Sequence, residues 1–477
     1  MKLPPNKTKI VCTIGPASES PEVMEKMILA GMNVARLNFS HGDFVSHQKA
    51  IENIRSAAKA TGRRVAILAD LPGPKIRIGE LAEEPIALEP DARFTLTTEE
   101  IVGDSRRVSV SFPGLPKAVK PGDTLYLNDG YIQIEVVEVR GEDVECRVVA
   151  GGELRSRKGL NLPGIDLGIS AFTEHDRECL KFALEHGVDA VSQSFVEKGS
   201  DITEVRDAAA ELGHHPFIIA KIERARAKDN LEEIIDAADG IMIARGDLGV
   251  EIPIERIAIA QKDLMYLANK KGKPIITATQ MLESMIEYPR PTRAESTDVA
   301  NAILDGTDCV MLSGESAMGK YSVEAVKMLA KIAATVEPRR PGDRVRNELR
   351  ACGRECDIDL NDLIALSIET SVETVSPAAL IVPSKSGASV RSITRFRLPV
   401  WIAAVSSNEA TCQQLQFSYG VQPVYLPDDE IEDWNSFARD WLKRHELEGD
   451  LVILAAGPSP KHPQANNRME IIDLRRK

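Results

Sequence analysis

The residues best suited to chemistry sit at the ends of two apolar runs. FIIAKIE (217–223) ends on Lys221 and Glu223, and GIMIARGDLG (240–249) carries Arg245 and Asp247. Short β-branched runs with almost no alternation are expected of strands buried on both faces of a parallel sheet. An ammonium and two carboxylates at the mouth of such a sheet suit a divalent metal and an anionic substrate. Mg²⁺ fits best, because it is usually held by one or two carboxylates together with substrate oxygens and water. No His/Cys cluster of zinc type accompanies them. The RGDLG backbone can aim helix-terminal amides at an anion. Arg36, Arg77 and Lys158 add positive charge. A metal ringed by cations is the recurring arrangement of phosphoryl transfer, where positioning and charge neutralisation do most of the work. No GxxxxGK[ST] loop is present, so phosphates are not expected to be held in the P-loop manner. A structural salt bridge at a strand end is the plainer reading of either run alone.

The surrounding pattern decides between them. Apolar runs at 9–15, 34–39, 65–71, 190–195, 217–223, 240–248, 274–280 and 309–315 alternate with helix-like stretches. Eight such units predict a closed, parallel (β/α)8 TIM barrel, in which chemistry sits at the C-terminal strand ends. Those ends read Thr13; Arg36, Asn38 and Ser40; Asp70; Ser194; Lys221 and Glu223; Asp247; Thr279; Ser313 and Glu315. A barrel serving structure alone has no need of a polar group at every strand end. Between the third and fourth units the helical rhythm stops. RFTLTT (93–98), RVSVSF (107–112), TLYLND (124–129) and IQIEVVEV (132–139) predict an inserted all-β domain over 72–167. The barrel is then expected over 1–71 and 168–340. Beyond 340, five more strand-like runs predict a C-terminal open α/β domain over 341–477.

The chain has 477 residues and a formal net charge of −13, which argues against nucleic acid and anionic membranes as partners. Its N-terminus, MKLPPNKTK, lacks a signal-peptide core, and no run approaches the length of a membrane span. Seven cysteines at irregular spacing read as free thiols rather than a disulfide framework, Cys352 and Cys356 included. A reduced, cytoplasmic setting is expected. From these residues alone the expectation is a magnesium-dependent enzyme acting on phosphorylated small molecules.

Several stretches together resemble the pyruvate kinase family. They are TKIVCTIGPAS (8–18), NVARLNFSHG (33–42), KGLNLPG (158–164), AKIE (220–223) and DGIMIARGDLGVEIP (239–253), followed by ATQMLESM (278–285), PRPTRAE (289–295), DVANAILDGTD (298–308) and VMLSGESAMGKY (310–321). The resemblance implies transfer of a phosphoryl group from phosphoenolpyruvate to ADP, giving ATP and pyruvate. It implies Lys221 and Arg36 at the phosphoryl group, Glu223 and Asp247 as ligands of Mg²⁺, with Mn²⁺ as a substitute, and Gly246, Asp247 and Thr279 at the substrate carboxylate. Ser313 and Glu315 belong near the proton path by the same resemblance. Asn38, Ser40, His41, Arg77 and Lys158 would serve the nucleotide. A homotetramer is also implied.

One stretch departs from the commonest family pattern. DLPGPKIRI (70–78) stands where potassium-requiring members resemble DTKGPEIRT. Leu71 offers no side-chain oxygen, and Lys75 puts an ammonium where an acidic residue accompanies K⁺. No K⁺ requirement is expected, although Asn38, Ser40 and Asp70 keep ligand-like positions. SKSGAS (384–389) resembles the family's effector-phosphate loop, through Ser384, Lys385, Ser386, Gly387 and Ser389. The later effector segment, GPSPKHPQANNRMEI (457–471), differs from the family pattern. The expected activator is therefore a phosphorylated sugar or nucleotide of unspecified identity.

Overall fold

A computed structural model describes residues 2–340, 344–355, 359–427, 431, 433–457 and 467–476. Eight strands close into a parallel barrel: β1 (Lys9–Thr13), β2 (Met32–Asn38), β3 (Ala66–Leu71), β4 (Ala190–Gln193), β5 (Phe217–Ile222), β6 (Gly240–Ala244), β7 (Ile275–Ala278) and β8 (Cys309–Leu312). Each strand pairs with its sequence neighbours, and β8 returns to β1 through Lys9↔Cys309 to Cys12↔Leu312. All eight expected strands are present. Several runs extend past the strand they contain: the run 309–315 leaves the sheet at Leu312 and Gly314–Ala317 is helical, and the largest difference is in the sixth. The run read as a strand to residue 248 leaves the sheet at Ala244, and Arg245–Glu251 forms a short helix. The reason is tertiary: the barrel wall ends there, and the turn buries Leu248 while Asp247 stays half-buried at the mouth.

Side chains alternate across each strand. One parity, including Cys12, Ala35, Ile67, Val191, Ile218 and Ile243, packs outward against the helices. The other, including Val11, Val34, Leu68, Ala190, Ile219 and Met242, fills the barrel interior. The helices are set by local signals. Helix Pro21–Ala30 starts on Ser20, with proline in the first turn, and stops at Gly31. Helix Arg293–Asp305 has a Thr292/Glu295 capping box and ends at left-handed Gly306.

Between β3 and β4 the chain builds a lid. Strands 160–161, 124–127, 132–140, 143–150, 93–97 and 107–109 form one sheet in that order, and 86–88 pairs with 152–154. The lid has its own core, around Phe94, Leu125, Ile134 and Cys146. Strand Asp143–Ala150 is not among the runs legible in the sequence; it pairs with Ile132–Arg140 across a turn at Gly141 (φ +60°). Near the C-terminus, strands Val421–Tyr425, Trp401–Ser406, Ala379–Pro383, Leu451–Ala456 and Arg468–Asp473 lie in that order, the first four parallel and the last antiparallel. This sheet sits beneath the barrel. Phe417 packs with the interior core and stacks on Phe217 of β5 at 5.5 Å between centroids. Arg397 donates to the Gly306 carbonyl and to Asp308 (both 2.6 Å). Cys352 and Cys356 lie outside the described side chains. Cys12, Cys146, Cys179, Cys309 and Cys412 are free and buried. No described helix is long and apolar enough to cross a membrane.

Candidate active site

The inward parity of the barrel turns polar as the strands approach their C-terminal ends. Arg36 shares the parity of Val34, Asp70 that of Leu68, Ser192 and Ser194 that of Ala190, and Lys221 and Glu223 that of Ile219. Period-two alternation therefore carries these groups from the packed floor to one point at the mouth.

Asp70 is the hub. Its Oδ2 accepts the Arg36 guanidinium, with Nε at 2.8 Å. Its Oδ1 accepts Ser192 Oγ at 2.7 Å and faces Lys221 Nζ at 3.4 Å. Arg36 Nη1 also donates to Thr13 Oγ1 (2.8 Å). Burial opposes ionisation of Asp70, but Lys221 and Arg36 outweigh it and hold its carboxyl below the usual range. The Lys221 ammonium donates to Ser194 Oγ at 2.7 Å and lies 2.8 Å from Glu223 Oε1. Burial alone would lower its pKa; Asp70 and Glu223 reverse this and keep it charged. A lysine 9 % exposed is thus a permanent cation, oriented by three partners.

Glu223 Oε2 accepts the Phe195 amide at 2.8 Å. Burial raises the Glu223 carboxyl pKa, Lys221 opposes that, and Asp247 adds to it. Asp247 is half-buried, and its charge bears on Lys221 as well as on Glu223. Two carboxylates that repel across a buried mouth suit an oxygen-seeking cation. Among the described residues no group of three or more His, Cys, Asp or Glu gathers to hold a metal. A donor set of two leaves positions for substrate and water, as Mg²⁺ prefers.

The other side of the mouth is built by β6 and β7. Thr279 and Gln280 adopt positive φ (66° and 52°) where the chain leaves β7. Thr279 Oγ1 accepts the Gly246 amide and donates to the Ala278 carbonyl, both at 2.7 Å. The Gly246 amide, expected at a substrate carboxylate together with Thr279, is bonded to Thr279 itself. Arg245 turns away from the centre: it pairs with Asp298 at 2.6 Å and donates to the Thr279 carbonyl at 2.9 Å. Glu315 accepts the amides of Leu282 (3.0 Å) and Ser313 (2.7 Å), so it ties the β7 and β8 loops together.

Known proteins share much of this sequence. Residues 5–326 match the family model for the pyruvate kinase barrel domain, and residues 362–472 that for the pyruvate kinase alpha/beta domain. The chain belongs to the pyruvate kinase family. It is 49% identical over 477 residues to a pyruvate kinase of Thermococcus litoralis, spanning 99% of this chain and 100% of that one. It is 43% identical over 474 residues to a pyruvate kinase of Geobacillus stearothermophilus, spanning 98% of this chain and 80% of that one. Pyruvate kinases are phosphotransferases, and this chain is an enzyme of that kind.

The remaining residues singled out from the sequence lie around this centre. Asn38 and Ser40 form a turn in which Asn38 Oδ1 accepts the Ser40 amide (3.2 Å). His41 is exposed at that turn, and its pKa is lowered by partial burial and by Arg77, Lys75 and Arg36. The charges of those three cations thus bear on His41. Arg77 bridges Gly159 in the lid root and donates to the Arg157 carbonyl at 3.1 Å. The Lys158 carbonyl accepts the Ile78 amide at 2.9 Å. Lys75 is exposed, and the Leu71 side chain is fully buried in the core. Ser384, Lys385, Ser386, Gly387 and Ser389 lie far away in chain and fold, where Gly387 (φ +77°) donates to Ser384 Oγ at 3.0 Å. Of the later effector segment, 458–466 fall outside the described residues. Ser192 and the hub role of Asp70 were missed. The inward parity of β3 and β4 was the signal that could have found them.

Proposed function

We propose that the chain transfers the phosphoryl group of phosphoenolpyruvate to ADP, giving ATP and pyruvate as the closing step of glycolysis in the cytoplasm. The observation that carries this reading is the Lys221 ammonium, kept charged between Ser194, Asp70 and Glu223 at the barrel mouth. A fixed cation there neutralises a phosphoryl group in transit, and Arg36, anchored on Asp70, supplies a second. Glu223 and Asp247 are the residues to hold Mg²⁺, or Mn²⁺ in its place, which when bound supplies charge neutralisation between substrate oxygens. Thr279, held by the Gly246 amide, serves the carboxylate and enolate end of the substrate. With both Glu315 oxygens engaged by backbone amides, that residue acts by holding loops.

Asn38, Ser40, His41, Arg77 and Lys158 form the nucleotide side, supported by the shared positive field at His41. Lys75 replaces the charge of a monovalent cation, so K⁺ is not required. A phosphorylated sugar or nucleotide acts at Ser384–Ser389 of a homotetramer. The deciding experiment follows pyruvate formation from phosphoenolpyruvate, ADP and Mg²⁺. Turnover that needs all three is expected, and its absence in the folded protein would overturn the reading.

A further inference from the structure

Each carboxylate assigned to the metal has a neighbour that grips the lid. Arg224 follows Glu223, and Glu251 lies one turn after Asp247 on helix Arg245–Glu251. Arg224 is 5 % exposed and Glu251 7 %. Arg224 Nη2 donates to the Ile165 carbonyl at 2.9 Å. Its Nε lies 3.2 Å from Glu197 Oε1 and 3.6 Å from Glu251 Oε2. The Glu251 carboxylate accepts the Ala225 amide at 3.3 Å, and the nearby Gly164 amide lowers its pKa against the effect of burial. Arg226 adds a 2.9 Å pair with Asp166.

Residues 164–166 are the root where the chain returns from the lid. Ile165 and Leu167 pack against the lid's own core. The lid touches the same helix a second time, since a Cβ built on Gly130 would come within 3.2 Å of Val250 Cγ2. The outgoing root meets the same framework, since a Cβ on Gly73 would come 2.8 Å from Phe195, whose amide donates to Glu223. Burial of the Arg224 guanidinium is offset by the Ile165 carbonyl and by the two carboxylates beside its Nε, and charge-assisted bonds are about twice as strong as neutral ones. Neither Arg224 nor Glu251 needs to touch a reactant to matter.

We propose that Arg224 and Glu251 are positioning residues that lock the lid's return root to the two metal carboxylates, so that the nucleotide side and the metal side move as one unit. This rests on the assignment of Glu223 and Asp247 to the metal and of Arg77 and Lys158 to the nucleotide. Arg77 and Lys158 lie at the lid roots, so a loosened root displaces the nucleotide cations.

The test uses the full-length protein as wild type, Arg224→Met, Arg224→Lys and Glu251→Gln. Glu251→Gln preserves shape and one acceptor oxygen while removing the charge, so it reports even if Arg224→Met does not fold. Hydrogen–deuterium exchange over 162–168 reads the root without reference to activity. Exchange there is expected to speed by about tenfold or more in Arg224→Met and Glu251→Gln, with lid strands 132–150 still protected and partial recovery in Arg224→Lys. The KM for ADP is expected to rise about fivefold or more while that for phosphoenolpyruvate moves less than about twofold. Wild-type exchange at the root in folded variants, or equal shifts in both KM values, would overturn the proposal. A wild type without phosphoryl transfer would sink the proposed reaction instead, and the exchange pattern would still decide whether Arg224 and Glu251 hold the root.

Discussion

Lys221 and Arg36 divide one carboxylate between them: the Lys221 ammonium lies 3.4 Å from Asp70 Oδ1, while Arg36 takes Oδ2. Two like charges are thereby held at one barrel mouth around a shared buried anion, with Glu223 as a second partner of Lys221. This fixes their spacing before any substrate arrives, which is the form of preorganisation that electrostatic catalysis needs.

Replacing Lys221 by Met removes the cation but leaves Asp70 paired with Arg36 and Ser192. Turnover of Lys221→Met is expected to fall by about 10²–10³-fold with KM for ADP nearly unchanged. Steady-state kinetics alongside a thermal melt separates this from unfolding. Full activity in the variant would remove Lys221 from the mechanism.

Asp70→Asn leaves the buried Arg36 without its anion and Lys221 with Glu223 alone, and a loss of about 3 kcal/mol is expected from denaturant melts. The pH dependence carries a definite sign. The folded-state pKa of Asp70 lies below its unfolded value. Its stabilisation is therefore complete above an unfolded carboxylate pKa of about 4 and is lost as pH falls through the lower folded value. Melts of wild type and Asp70→Asn should accordingly converge in acid and separate near neutrality.

Asp247 is half-buried, and its charge opposes that of the Glu223 carboxylate. An amide at 247 relieves that repulsion, so Asp247→Asn should cost little stability. It should nevertheless raise the Mg²⁺ concentration for half-maximal rate by about tenfold. Chelation of divalent cations should abolish turnover, with recovery on adding Mg²⁺ or Mn²⁺. An unchanged metal requirement in the variant would exclude Asp247 as a ligand.

Leu71 is buried and Lys75 exposed on the loop entering the lid. Rates in tetramethylammonium buffer should match those in K⁺ buffer within about twofold, and Lys75→Glu should introduce a K⁺ dependence. Collapse of wild-type activity without K⁺, restored by K⁺, would refute potassium independence.

Gly73 has φ +65°, and a Cβ there would lie 2.8 Å from the Phe195 ring. Gly73→Ala is expected to destabilise by about 1–2 kcal/mol through strain and contact. Because Phe195 also donates to Glu223, its metal requirement should rise as well. A change in melting temperature alone would uncouple the outgoing root from the metal site.

Much of this was legible in the chain. Eight apolar runs ending in polar groups implied a closed barrel, because only strands buried on both faces lack alternation. Lys221, Glu223, Arg36 and Asp70 were visible as strand ends. The extent of β6 was not, since an apolar run carries no mark of where the wall stops. RGDL continued the run in sequence but lies on a helix that buries Leu248. The bond from the Gly246 amide to Thr279 Oγ1 was not legible either, because the two residues are 33 apart in the chain. Strand Asp143–Ala150 escaped because its alternation is short and charged, and its pairing partner decides it.

Sequence by itself determined which residue types stand at which strand ends, since alternation and turn chemistry are local. Tertiary structure alone decided which of those groups meet. Asp70 looked like one more polar strand end, and closure of the barrel made it the shared anion of Arg36 and Lys221. Nothing local in the chain marks Arg224, and only the return of the lid brings it to the Ile165 carbonyl. The physical reason is that a hydrogen bond or ion pair is set by distance in space, and residues far apart in the chain acquire that distance only when the sheet closes.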